Sequence, residues 1–257
     1  MGLAQVDRKT LREGLSAIGI GPGDGLLVHS ALQFLGQPQG GEALYLQVIE
    51  ALIGPEGTLA VPAFTFAFAR GQRFDPAASP SEGMGAFSEL VRQDPRSCRT
   101  PHPMQSLALI GARAQELAAL DTPSAFDDGS AFARMLELDF KLLLLGADIQ
   151  AASIVHRSEQ RAAVPYRYWK DFSGEVRRAG RWTKATYRMF VRDLELDPQL
   201  ALAPIQQRLE SAGQWRSTPL NYGRLASCSL RDFVSACDAL LAEDPWALVA
   251  NRESLRV

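Results

Sequence analysis

Apolar positions along the chain follow two periods that take turns. Residues 8 to 18, RKTLREGLSAI, carry apolar side chains at helical spacing, with Asp7 ahead of them as a cap. LLVHS after the loop GIGPGDG, TLAVPAFTF after the turn GPEG, QSLALIGA and KLLLLGADI are short β-rich runs that suit buried strands. Between them EALYLQVIEALI, GAFSELVRQ and RAQELAAL return to helical spacing. Such repeated alternation predicts an α/β layered sandwich, with a central, largely parallel or mixed sheet flanked by helices.

From about Tyr166 the pattern becomes polar alternation, as in GEVRRAGRWTKATYRMFV, which predicts C-terminal antiparallel strands on a sheet edge or in a small subdomain. SLRDFVSACDALLAEDP predicts a terminal amphipathic helix. With no internal repeat, low-complexity tract or Pro/Ser-rich linker, residues 1–257 are expected to form one domain, residue 165 marking only a change of texture.

A hydrophobic content of 46% in 257 residues is enough for a substantial core. The net charge of −2 and a pI near 6.0 lack the basic excess of a nucleic-acid binder. No apolar run approaches the roughly 20 residues that cross a bilayer. Residue six, Val6, breaks the N-myristoylation pattern. Cys98, Cys228 and Cys237 form no CxxC motif and follow no signal peptide, so a cytoplasmic protein with free thiols is expected.

The three histidines stand in LLVHSAL, RTPHPMQS and SIVHRSE, at strand ends or in loops. His29 and Ser30 close a predicted strand, where ligands collect in α/β sheets. His156 stands three residues before Glu159, so one helical turn puts an imidazole and a carboxylate on one face. A zinc site of His29, His102, His156 and Glu159 is chemically possible, but only one pair is local, and no metal is expected. A Cys98 nucleophile with His102 is the other option, resting only on closeness in sequence. SCRTPHPMQS gathers Arg99, Thr100, His102 and Ser106, donors suited to phosphate oxygens. HSALQFLGQPQGG adds Ser30 and a glycine-rich turn before a helix, also favourable to an anion. GIGPGDG precedes a strand instead of following one, which argues against a dinucleotide fingerprint.

Taken in order, VHSAL, GPEGTLAVPAFTF, FDPAASPSEGMGAFSELVRQ, RTPHPMQSLALIGARA, LLLLGA and VHRSEQRAAVPYR resemble the aminoglycoside 3-N-acetyltransferase family, over about residues 20 to 167. The resemblance implies an acyl-CoA-dependent N-acyltransferase with coenzyme A as cosubstrate. It puts the family's HxxE pair on His156 and Glu159. Coenzyme A contacts fall on His29, Ser30 and Leu32 and on Arg99, His102 and Ser106. His156 would be the general base for a direct attack of the amine on the thioester, and Glu159 would fix its tautomer.

The chain departs from the resistance enzymes after about residue 165. There Arg167, Lys170, Arg177, Arg178, Arg181, Lys184, Arg188 and Arg192 replace the acids expected of a polycation site. A nucleotide-linked amino sugar is therefore expected ahead of an aminoglycoside, its diphosphate meeting residues 166–257 on the acceptor side. A catalytically idle coenzyme A or anion-binding protein and a thioester hydrolase are the competing readings. The expected partners are acyl-CoA, the amino sugar acceptor and a second copy in a homodimer, with no nucleic acid and no membrane.

Overall fold

A computed structural model describes residues 4–255. In chain order the elements are β1 (Gln5–Val6), α1 (Arg8–Ala17), β2 (Gly25–Ser30), β3 (Gln37–Pro38), α2 (Ala43–Ile53), β4 (Thr58–Pro62), α3 (Gly85–Gln93), β5 (Cys98–Arg99) and β6 (Leu107–Gly111). They continue with α4 (Ala114–Ala118), α5 (Ala131–Glu137), β7 (Lys141–Leu145), α6 (Val155–Arg161), β8 (Arg167–Arg178), β9 (Arg181–Arg192), α7 (Ala203–Ser211), β10 (Arg216–Leu220), β11 (Gly223–Ser229) and α8 (Leu230–Glu243). Asp7 caps α1 by accepting from the Thr10 N–H at 2.7 Å.

Seven strands form one sheet in the order β10-β11-β7-β2-β4-β6-β5. The middle strand β2 runs parallel to β4 and β7, and the outer pairings are antiparallel, so the sheet is mixed. The four leucines of β7 show why the apolar runs are unbroken. Leu142 and Leu144 pack with Phe132, Ile154 and Phe233 in one core cluster. Leu143 and Leu145 pack with Leu11, Tyr45 and Ile49 in the other. Side chains alternate across a strand, and helices cover both faces of this sheet.

The stretch TLAVPAFTF does not remain a strand throughout. β4 stops at Pro62, which has no N–H to give a ladder, and the chain coils into a 3₁₀ turn at Phe66–Arg70. Beyond residue 165, β8 and β9 form a two-stranded arm outside the main sheet, tied to the body by a parallel bridge between Val176 and Phe74. Ala179 and Gly180 both have positive φ, 47° and 77°, as a two-residue hairpin turn requires. The inner side of this arm, Phe172, Val176 and Tyr187, packs on Phe68, Phe74 and Met104. β11 pairs with β7, so residues after 165 supply two strands of the central sheet. The short helices α5, α6 and α7 add to those expected from the pattern, which offered only the single turn joining His156 and Glu159 in α6.

Candidate active site

The parallel strands β2, β4 and β7 share one direction, so their carboxyl ends meet at one edge. His29 and Ser30 end β2 there. Gly146 follows β7 with φ +75°, and a Cβ on it would stand 2.7 Å from the Ala31 carbonyl. Only glycine allows the two chains to pass so closely.

Past Gly146 the chain enters α6, which carries the His–Glu pair. His156 Nδ1 lies 2.6 Å from Glu159 Oε2, and Arg167 Nε lies 2.9 Å from Glu159 Oε1. Glu159 is fully buried, whereas the His156 side chain is 29% exposed. Burial pushes the Glu159 carboxyl up, but the hydrogen bond and charge of His156 and the charge of Arg167 outweigh it and hold it below the usual carboxylate range. With Nδ1 committed to the carboxylate, Nε2 of the neutral ring keeps its lone pair, as a general base requires. The Phe126 ring stands edge-on to His156, with centroids 5.8 Å apart. Arg157 ties that segment to α6 by donating to the Phe126 carbonyl and to Asp128 Oδ1, both at 2.7 Å.

His29 braces this arrangement from behind. Its Nε2 accepts from the Ser153 N–H and lies within reach of the Ser153 hydroxyl, both at 3.4 Å, in the turn that starts α6. Burial, aided by the charge of His156, depresses its pKa to about 3. His29 is therefore neutral and cannot meet a phosphate as a cation.

The loop of Arg99, His102 and Ser106 forms a second, internal cluster. Arg99 donates to the Ser106 hydroxyl at 3.0 Å, to the Thr65 hydroxyl at 2.7 Å, and to the Ala63 and Ser79 carbonyls. Its charge lies over the Phe74 ring, and burial lowers its pKa to about 10. Ser106 in turn donates to the Ala63 carbonyl at 2.7 Å. His102 Nδ1 accepts from the Gln105 N–H at 3.2 Å, and its Nε2 faces the Arg188 carbonyl of β9 at 3.4 Å. Burial brings His102 down to about 4. The expected phosphate contacts of Arg99, His102 and Ser106 therefore meet a physical objection: their donors are already engaged inside the protein. These three residues hold the end of β4 and the arm in place.

Two neutral buried histidines make stability sensitive to acid. Their folded pKa values, about 3 and about 4, lie below the ordinary value near 6.5. The unfolded chain takes up protons first, so stability is full above about pH 6.5 and falls as pH drops toward 4. Between pH 7.5 and 5.5 each histidine should remove about 1 kcal/mol, read from urea melts. His102→Asn should flatten that slope by about half.

Cys98 lies on the edge strand β5, three strands from β2, with Sγ 2.8 Å from Gln115 Nε2 and no histidine against it. A cavity of about 740 Å³ beside it, lined by Gly57, Arg96 and Gln115, lies at the opposite end of β4 from His29. Burial pushes Cys228 and Cys237 up to about 12. Among the described residues, no group of three or more His, Cys, Asp or Glu converges as metal ligands. No described helix is long and apolar enough to cross a membrane.

The basic segment also looks different once folded. Arg177 pairs with Asp75 at 2.9 Å, Arg178 with Asp121 at 2.5 Å and Arg192 with Asp197 at 3.8 Å. Arg188 stacks on Trp169 at 4.5 Å and lies 3.6 Å from Asp171. With Arg167 on Glu159, five of the eight cations have carboxylate partners, which weakens the case for a diphosphate site. Ser153, Phe126 and Arg157 carry no local motif that marks them for the site, and Arg167, expected among the cations facing the acceptor, instead joins the His–Glu pair.

Solved structures of the same topology include several aminoglycoside acetyltransferases. AAC(3)-Xa superimposes with a TM-score of 0.83 at 26% identity, covering 93% of this chain and 94% of that one. A histidine-to-alanine variant of AAC(3)-IVa in complex with gentamicin gives 0.80 at 25% identity, covering 99% and 95%. AAC-IIIb, solved as a binary complex with CoASH, shares the fold at 0.82 and 22% identity, covering 93% and 97%. The family profile described as aminoglycoside 3-N-acetyltransferase matches residues 27–242, and the chain belongs to that family. Aminoglycoside N(3)-acetyltransferase VII of Streptomyces paromomycinus is 29% identical over 192 residues, 66% of each chain. Aminoglycoside N(3)-acetyltransferase III of a Salmonella species is 30% identical over 180 residues, 63% of each. The aligned part of the chain thus spans just under two thirds of these curated relatives.

Proposed function

We propose that this chain transfers an acetyl group from coenzyme A to an amine of an aminoglycoside, with His156 as general base and Glu159 as its orienting partner. The carrying observation is the 2.6 Å His156–Glu159 contact at the carboxyl end of the parallel strands, in a member of this family. His156 Nε2 removes a proton from the substrate ammonium. The free amine then attacks the thioester carbonyl, its nitrogen releases a second proton to solvent as the carbon–sulfur bond breaks, and the thiolate leaves with the proton held by the imidazolium. No enzyme nucleophile is needed, in keeping with the position of Cys98.

An aminoglycoside acceptor is preferred over the nucleotide-linked amino sugar for two reasons. The related structures and sequences include several aminoglycoside acetyltransferases, and most cations of the arm are internally paired. Asp128 accepts from Arg157 through Oδ1, but its side chain is 94% exposed on the segment held against α6, so a polycation can still reach its other oxygen. The sugar nucleotide stays as a second reading on Lys170, Arg181 and Lys184, for which the described residues provide no ion-pair partner.

Coenzyme A fits the Ser30–Leu32 loop better than the Arg99 cluster. The start of α3 abuts Ser30, with the Ser30 oxygens 3.7 and 3.9 Å from where a Cβ on Gly85 would stand. The first N–H groups of a helix have no acceptor within it and favour an anion nearby. Ser30 and Leu32 would hold the phosphates, with His29 shaping the loop from behind. A homodimer is part of the proposal, to be checked by sedimentation.

Thiol release from acetyl-CoA, measured with gentamicin-like aminoglycosides and with dTDP- and UDP-linked amino sugars, tests this reading. Release should depend on the aminoglycoside. Release with sugar nucleotides alone would favour the second reading, and release with no acceptor would mark a thioester hydrolase. No release with any acceptor would leave an idle binding protein.

A further inference from the structure

Arg167, the first residue of β8, reaches back from the arm to the His–Glu pair. Its Nε lies 2.9 Å from Glu159 Oε1 and its Nη2 3.3 Å from His156 Nδ1. Nη1 donates to the Phe190 carbonyl of β9 at 3.1 Å, so the arm fixes the guanidinium. The side chain is 11% exposed, and the carboxylate it meets is fully buried. A buried carboxylate needs a compensating positive charge, which either a cation or a bound proton can supply.

We propose that Arg167 is the positioning residue that keeps the base free of its proton, because the guanidinium balances Glu159 and the His156–Glu159 pair need not hold a proton to do so. This rests on the reading of His156 as the base. Without Arg167, the buried charge of Glu159 is balanced by an imidazolium, and the pair keeps that proton to higher pH. The other groups around His156 leave Arg167 without a substitute. From β2 it is faced by His29, which is neutral, from the segment before α5 by the uncharged ring of Phe126, and on the Glu159 side by Tyr166 and Cys237, both kept protonated by burial. Asp127 and Asp128 on that segment are bound to Gln160 and Arg157.

The proposal is read in the pH profile of kcat/KM. Arg167→Met should move the acid limb upward by about one pH unit, with little loss on the alkaline plateau. Arg167→Lys keeps the charge and should return the limb to the wild-type position. Glu159→Gln should move it the opposite way, to lower pH. Should Arg167→Met fail to fold, the double variant with Glu159→Gln buries no unpaired carboxylate, and its limb should lie above that of Glu159→Gln alone. A limb that stays in place while the rate falls equally at every pH would overturn the proposal and leave Arg167 a structural strut. Wild-type turnover in His156→Ala would instead overturn the base reading, so the two failures are distinct.

Discussion

Replacing His156 with alanine should lower kcat by about 100- to 10,000-fold, the usual worth of a positioned general base. Coenzyme A affinity should barely change, since the Ser30–Leu32 loop lies on β2 and the following turn, whereas His156 belongs to α6. Isothermal titration beside steady-state kinetics separates the two effects. The loss should shrink at alkaline pH, where more of the acceptor is already the free amine. Glu159→Gln is the companion test. A neutral amide still fills the volume but no longer favours the imidazolium, so the acid limb shifts to lower pH and the plateau falls less than in the histidine variant. Wild-type turnover in His156→Ala would make the pair structural and send the search for a base elsewhere. His29 and His102, both buried and neutral, are poor replacements.

The second large effect is on stability. Arg99→Ala should destabilise the fold by about 2–4 kcal/mol, because it removes the shared donor of a buried network and leaves neutral acceptors unpaired. The Ala63 carbonyl keeps Ser106 as a donor, but the Ser79 carbonyl and the Thr65 hydroxyl lose their guanidinium partner, and the stacking on Phe74 goes with them. Arg99→Lys should recover little, since one ammonium cannot span acceptors that a planar fork reaches together. Urea unfolding gives the number. A variant of wild-type stability that has lost coenzyme A affinity would return Arg99 to the cofactor site.

The arm and the site are joined by these same residues. His102 and Arg167 both contact carbonyls of β9, one from beneath the arm and one from the His–Glu pair. Disturbing the seating of β8 and β9 therefore reaches the base without touching it.

The sequence by itself determined the parts whose physics is local. KLLLL had to be a strand covered on both faces. RKTLREGLSA behind Asp7 had to be a helix, and HRSE had to put His156 and Glu159 on one face once that stretch was helical. The order of motifs along the chain was enough to point to the family. Tertiary structure alone decided what depends on pairings between distant residues. Among these are β11 lying against β7, Arg167 turning back to Glu159, and Arg99 spending its donors on Ala63, Thr65, Ser79 and Ser106. An arginine in a loop reads the same whether it waits for a phosphate or spans four protein oxygens. Burial is set by the packing of elements far apart in the chain, and burial separates those two outcomes.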